Sequence, residues 1–232
     1  MPRSLRITIP NLPFHILNRG NNRQVIFLDE EDFDYFIALL KRFKKELKFK
    51  LYHFCLMSNH THFVMEPTVD GSLPKIMQKL TLAHTRYFNN KYRGVGHVWQ
   101  GRYKSSLIDS DNYFVWCGIY NELNPVRAGL VKKPEDWQWS SFRFYGLGEN
   151  NSSLAELIDT DPYYLGLGDT IEERCKKYRE NIEKIMEEDF LFNIRKNLDE
   201  GVYGKQSFIQ AMKEKFDISS SNPIGRPKKN QT

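Results

Sequence analysis

The chain has 232 residues with 40% hydrophobic and 27% charged side chains, and its formal net charge is +5. This composition can form a hydrophobic core and excludes a wholly disordered chain, while the mild positive charge is compatible with a polyanionic partner. No segment has the roughly 18 consecutive apolar residues of a transmembrane helix, and the N-terminus lacks the apolar core of a signal peptide, so we expect a cytoplasmic protein that does not enter a membrane. The three cysteines are widely separated and lack C-x-x-C spacing, which predicts neither a disulfide framework nor a zinc site.

The hydrophobic pattern predicts alternating strands and helices in the first part of the chain. Strands are indicated by short runs of β-branched and aromatic residues, and helices by apolar residues at i, i+3, i+4 and i+7 spacing. In chain order, the predicted elements are a strand at 14–18, a helix at 29–43, strands at 49–57 and 60–66, a helix at 73–87, a strand at 98–108 and a helix at 113–123. Asp29 and the segment 109–111 are the N-cap candidates, and Pro125 should end the last helix. This order predicts an α+β fold of ferredoxin-like type, in which one antiparallel sheet carries helices on one face.

Beyond this main domain we expect a helical region and a tail. We place the main domain at residues 1–148, a small helical appendage that could bind DNA at 149–218, and a disordered basic tail at 219–232. Helices predicted at 190–198 and 206–216 could form a helix-turn-helix DNA reader. In the tail, the sequence G-R-P-K-K resembles the core of an AT-hook, which makes Arg226 a candidate for a minor-groove contact. A solvated basic tail is the alternative.

Two histidines form the first candidate site. His60 and His62 are two residues apart in a predicted strand, so both imidazoles should point to the same side of the sheet. This is the geometry of a two-histidine metal clamp. For an isolated pair of this kind, the favoured interpretation is that one histidine packs in the core and the other bonds locally.

The last predicted helix carries a second pair of candidate residues. Tyr120 and Asn124 are four residues apart and should lie on one face of this helix, one turn apart. The amide oxygen of Asn124 could bind a hard divalent ion, and the phenol of Tyr120 could lie beside that ion. By itself, Tyr120 could also be a half-buried packing residue.

Cations and aromatic rings are interleaved between residues 86 and 104, as in a groove that binds single-stranded nucleic acid. Together with the polar turn at 18–23, this region supplies the candidate DNA contacts Arg19, Arg23, Arg86, Arg93, Trp99, Arg102 and Lys104. The alternative is that the rings are core residues and the cations are solvated. His84 and His97 are expected to be structural histidines with satisfied hydrogen bonds.

Several motifs in the same order resemble the single-tyrosine HUH transposases, especially the REP-associated tyrosine transposases. The motifs are N-R-G at 18–20, L-M-S-N-H-T-H-F at 56–63, G-H-V-W-Q-G-R-Y at 96–103, Y-N-E-L-N-P-V-R-A-G at 120–129 and W-Q-W-S-S at 137–141. The resemblance covers residues 13–146. Thr61 stands at the middle of the histidine motif, where a bulky hydrophobic residue is usual.

The resemblance implies a transposase that nicks and joins single-stranded or hairpin repeat DNA. It implies that Mg²⁺ or Mn²⁺ is held by His60, His62 and Asn124, and that Tyr120 is the nucleophile. The implied intermediate is a 5′-phosphotyrosine with a free 3′-hydroxyl, which allows rejoining without ATP. The protein could be a monomer or a homodimer, associated with the nucleoid. The alternatives are a catalytically silent, sequence-specific DNA-binding regulator of the same fold, and a phosphohydrolase without a covalent intermediate.

Overall fold

The computed structural model describes residues 8–109, 112–150 and 154–216. The strands are β1 (Phe14–Arg19), β2 (Phe49–Met57), β3 (His60–Pro67), β4 (Lys104–Ile108) and β5 (Val202–Tyr203). The helices are α1 (Glu30–Leu47), α2 (Ser72–Tyr92), α3 (Asn112–Glu122), α4 (Asn124–Arg127), α5 (Phe142–Leu147), α6 (Pro162–Leu165), α7 (Ile171–Ile185), α8 (Glu188–Asp199) and α9 (Gln206–Phe216). Within these three ranges, no helix combines the length and apolar character needed to span a membrane.

The sheet has the strand order β2-β3-β1-β4-β5, and β1 to β4 pair antiparallel. This order, with α1 between β1 and β2 and α2 between β3 and β4, confirms the α+β, ferredoxin-like prediction. The sheet is nevertheless mixed, because the two-residue β5 adds to β4 in parallel. The chain reaches β5 from α8, a connection that the sequence pattern did not predict.

Helices cover both faces of the sheet, which corrects the prediction of helices on one face. Phe63 of β3 faces α1, with its ring 6.3 Å from that of Phe36, whereas the preceding His62 faces α3, with its ring 6.5 Å from that of Tyr120. Successive side chains of a strand point to opposite faces, so α1 and α3 lie on opposite sides. Eight of the eleven residues of α3 are buried. Such a helix must be covered on more than one side, here by the sheet and by the C-terminal helices.

Two local predictions have different outcomes. Asp29 is the N-cap of α1 as predicted, because its side chain accepts from Asp32 N at 3.1 Å and the Asp32 carboxylate accepts in return from Asp29 N.

The strand predicted at 98–108 is shorter and contains only β4. Before β4 the chain makes an isolated bridge between Gly20 and Trp99 and then turns at Gly101, whose φ of 61° favours glycine. The predicted N-cap candidates at 110 and 111 lie outside the described residues, as do residues 151–153 and the tail at 219–232.

The helices after residue 154 pack against the rest of the chain. Phe190 of α8 makes an edge contact with Trp116 of α3, and Tyr113 of α3 makes another with Tyr203 of β5. The helices predicted as a DNA reader correspond to α8 and α9, and β5 separates them.

A buried network ties α3 to β2 and to the C-terminal helices. His53 of β2 is completely buried, with Nδ1 3.1 Å from Glu122 Oε1 and Nε2 3.2 Å from Asp161 Oδ2. The hydroxyl of Tyr178 in α7 donates to Glu122 Oε2 at 2.8 Å. Burial opposes a charge on the imidazole, but the hydrogen bonds that His53 donates to Asp161 and Glu122, together with the charges of these carboxylates, outweigh it and raise the pKa of His53 to about 9. His53 is therefore an imidazolium at neutral pH.

We expect this network to make stability fall with rising pH. The pKa of His53 is about 9 in the folded protein, whereas its ordinary value is 6.5. The stabilisation that His53 contributes to the folded state is therefore fully present below pH 6.5 and is lost as pH rises through about 9. His53→Gln should lower the free energy of unfolding by roughly 3–5 kcal/mol at neutral pH, because two buried carboxylates lose their cation. Urea unfolding at several pH values should show the gap between wild type and variant narrowing between about pH 6.5 and about pH 9. The exposed His97→Gln serves as control, and a constant gap would contradict the charge assignment.

Candidate functional site

The register of the sheet brings the candidate residues to one face. Leu17 of β1 lies directly opposite His62 on β3 and Lys104 on β4. Arg19 lies opposite His60, two residues further along each strand. Residues directly opposite in an antiparallel pair point to the same side, so these side chains all face α3.

These residues line a cavity of about 390 Å³ between the sheet, α3 and α8. Its lining comprises His15, Leu17, Arg19, His60, His62, Lys104, Ser106, Tyr120, Asn124, Arg195, Leu198 and Asp199. The cavity thus contains all four residues predicted for the reaction, and one copy of the chain supplies them all.

Three histidines lie together in this cavity. The rings of His60 and His62 are 4.9 Å apart, which confirms that both imidazoles point to the same side. His15 Nε2 is 3.2 Å from His62 Nδ1, and His60 Nδ1 is 2.5 Å from Asn59 Oδ1. His62 Nε2 is buried and has no hydrogen-bond partner among the described residues. A buried ring nitrogen without a partner is unfavourable unless another group binds there.

The environment keeps these histidines neutral. Burial lowers the pKa of His15 to about 4, and burial together with the charge of Arg19 lowers that of His60 to about 4. Burial, followed by the nearby His60, also lowers the pKa of His62. Neutral imidazole is the form that binds a metal ion.

Tyr120 and Asn124 are brought together as predicted, although a short break separates α3 from α4. Pro125 has no N–H group to donate to Asn121 O, and the Asn124 side chain replaces that donor, with Nδ2 3.1 Å from Asn121 O and 3.2 Å from Tyr120 O. The Asn124 amide oxygen remains for another partner and is 3.4 Å from Arg127 Nη1.

Tyr120 lies in the cavity wall and is only 6% exposed. Burial raises the pKa of its phenol, while a hydrogen bond from Arg195 and the positive charge of that residue oppose the rise. The Arg127 guanidinium lies over the ring, 4.9 Å from the centroid. The charge of one cation therefore acts on the hydroxyl, and another cation lies over the ring face.

The donor atoms suit a divalent ion with open coordination positions. They are two neutral imidazoles and one amide oxygen, and the orphaned His62 Nε2 is the strongest sign that a ligand binds here. In the described ranges, no three His, Cys, Asp or Glu side chains are grouped to enclose a metal ion. An ion held here would therefore keep positions for water or phosphate oxygens.

The other candidate cations lie inside and around the cavity. Arg19 and Lys104 line it, whereas Arg23, Arg86, Arg93 and Arg102 are exposed outside it. Arg226 lies outside the described residues.

Trp99 and His84 both belong to the core. Trp99 is 7% exposed and lies close to Phe36 and His84, so its ring is not available for stacking on a base. His84 is structural as predicted, but neither of its ring nitrogens has a partner among the described residues. We expected the hydrogen bonds of His84 to be satisfied, and among the described residues they are not.

Sequence reasoning missed two residues of the cavity, His15 and Arg195. His15 lies two residues before Leu17 on β1, and the alternation of β1 could have placed it on the same face as Arg19. No sequence pattern indicated Arg195, because α8 is distant in the chain and reaches the cavity only through the fold.

Comparisons with known proteins agree with the motif resemblance. Residues 8–117 match the family model described as "Transposase IS200 like". A candidate REP-associated tyrosine transposase from Haemophilus influenzae is 28% identical over 135 residues, which are 50% of this chain and 76% of that protein. A solved structure of a REP-associated tyrosine transposase bound to a REP hairpin matches 70% of this chain and 93% of its own, with a TM-score of 0.52 and 17% identity. That structural likeness shows a shared fold.

Proposed function

We propose that the chain is an IS200-like transposase, a metal-dependent single-stranded DNA endonuclease and strand-transferase. The observation that supports this most directly is the meeting of Tyr120, His60, His62 and Asn124 in one cavity. We assign catalysis to residues 1–148, with 149–218 as a helical region and 219–232 as a basic tail that carries Arg226.

We assign the metal site to His60, His62 and Asn124, which would hold Mg²⁺ or Mn²⁺. Such an ion polarises the scissile phosphate and offsets the charge that develops during the reaction. All three protein ligands are neutral, so the site keeps the full charge of the ion for the phosphate.

Tyr120 carries the reaction. Its phenol oxygen attacks the phosphorus of a DNA diester, the bond from phosphorus to the 3′ oxygen breaks, and the phenol proton ends on the released 3′-hydroxyl. The product is a 5′-phosphotyrosine, which conserves the diester energy. Attack by a second 3′-hydroxyl reverses the step and joins new strands without ATP.

Hairpin or repeat DNA is the substrate that we propose. The solved protein of the same fold is bound to a REP hairpin. Here Arg19 and Lys104 line the cavity, while Arg23 and Arg102 are exposed nearby in sequence and could hold the flanking phosphates.

The test is covalent adduct formation with labelled hairpin DNA from the flanks of the gene, in the presence of Mn²⁺. Wild type should form a protein–DNA adduct on a denaturing gel, and Tyr120→Phe should lose roughly 10⁴-fold or more in rate because its nucleophile is gone. His60→Ala should fail for lack of a metal ligand. Tyr113→Phe, on the same helix but outside the cavity, and the exposed His97→Ala are the matched controls.

Each other outcome points to a different function. Cleavage that survives Tyr120→Phe would replace the covalent mechanism by metal-dependent hydrolysis. Binding of several hairpins by the wild type without cleavage would instead indicate a regulator of the same fold.

His15 should position the metal ligand His62. If His62 binds through Nε2, its Nδ1 carries the proton and donates to His15 Nε2, 3.2 Å away. His15→Ala should therefore weaken Mn²⁺ binding about 10-fold to 100-fold in the absence of DNA, measured by calorimetry. His15→Gln retains an acceptor and should recover part of the affinity. Equal Mn²⁺ affinity in wild type and His15→Ala, with binding abolished in His62→Ala, would remove His15 from this role.

A further inference from the structure

We propose that Arg195 of α8 is a catalytic residue, a guanidinium in the same cavity as Tyr120 that binds a non-bridging oxygen of the scissile phosphate. This inference rests on the proposed function of Tyr120. It assigns part of the reaction to the C-terminal helical region, beyond the segment 8–117 that matches the family model.

The packing of α8 holds Arg195 at the cavity. Ile194 and Leu198, on either side of Arg195 along α8, are buried at 1% and 8% exposure. The hydroxyl of Ser106 in β4 donates to Leu198 O, and Leu107 N donates to Gly201 O at 2.9 Å. These contacts fix the end of α8 to the edge of the catalytic sheet.

The surroundings leave the Arg195 guanidinium available for substrate. Asp199, one turn further along α8, lines the same cavity and pairs with Lys104, with Nζ and Oδ1 3.1 Å apart. Among the described residues, no carboxylate forms a salt bridge with Arg195. It lines the same cavity as Tyr120, whose hydroxyl feels its positive charge.

The shared cavity places Arg195 beside the reacting atoms. When the Tyr120 oxygen bonds to phosphorus, the non-bridging phosphate oxygens come next to that oxygen, inside the cavity that Arg195 lines. A guanidinium has several parallel N–H donors and can bond the phenol oxygen and a phosphate oxygen at once. As the bond to phosphorus forms and the bond to the 3′ oxygen breaks, charge grows on these oxygens and the contact strengthens.

Arg127 cannot take the same role in this arrangement. Its guanidinium lies over the face of the Tyr120 ring and 3.4 Å from Asn124 Oδ1. It supports the ring and the amide, whereas the charge of Arg195 acts on the hydroxyl.

The experiment separates catalysis from DNA binding. Single-turnover adduct formation at saturating hairpin DNA and Mn²⁺ is compared in wild type, Arg195→Met, Arg195→Lys and the control Lys196→Met, an exposed neighbour on the same helix. Arg195→Met should lower the rate about 10²-fold to 10³-fold, as for other lost transition-state donors, while Kd for DNA and for Mn²⁺ changes little. Arg195→Lys should recover part of the rate, and added guanidinium ion at millimolar concentration should restore part of it to Arg195→Met only.

Three results would overturn the proposal. They are a wild-type rate in Arg195→Met, an equal loss in Lys196→Met, and a loss that lies entirely in Kd for DNA. Failure of the proposed function is distinguishable, because the wild type would then form no adduct at all.

Discussion

The position of α3 over the sheet depends on a buried imidazolium held between two carboxylates. His53 contacts Glu122 at the end of α3 and Asp161 at the start of α6. A buried charge is costly without partners, so the chain must bring all three groups together in order to fold. Gly118 lets α3 approach, since a Cβ there would lie 2.4 Å from His53 Cε1. The same helix carries Tyr120, and its attachment at Glu122 fixes the nucleophile above the histidine strand.

A β-bulge in β2 makes this attachment possible. Leu51 lies opposite Met65 and His53 lies opposite Val64, so Tyr52 is an extra residue in the pairing. Met65 and Val64 point to opposite faces of β3, and the bulge therefore turns His53 towards α3 while Leu51 faces the other side. Strict alternation would place both on one face. The sequence pattern indicates the strand correctly, but a bulge depends on pairing with another strand and leaves no mark in a single segment.

The parts of the site that could be predicted are those that local periodicity determines. The two-residue spacing of His60 and His62 and the four-residue spacing of Tyr120 and Asn124 define faces within single elements, and the ferredoxin-like order follows from the elements themselves. The contact of His15 with His62 requires strand register, and the position of Arg195 in the cavity of Tyr120 requires long-range packing. The short length of β4 also depends on the fold, because the turn at Gly101 takes the residues before β4 out of the sheet.

Charge distribution explains why this cavity suits a phosphate. The histidines are neutral because burial disfavours their protonation, so they add no positive charge that would repel a metal ion. The fixed cations Arg19, Lys104 and Arg195 enter from β1, β4 and α8, and the one carboxylate in the lining, Asp199, is paired with Lys104. The positive field at the nucleophile thus comes from elements at both ends of the chain. A segment cut after α3 would keep the histidines and Tyr120 but lose both the guanidinium at the hydroxyl and the carboxylate that restrains Lys104.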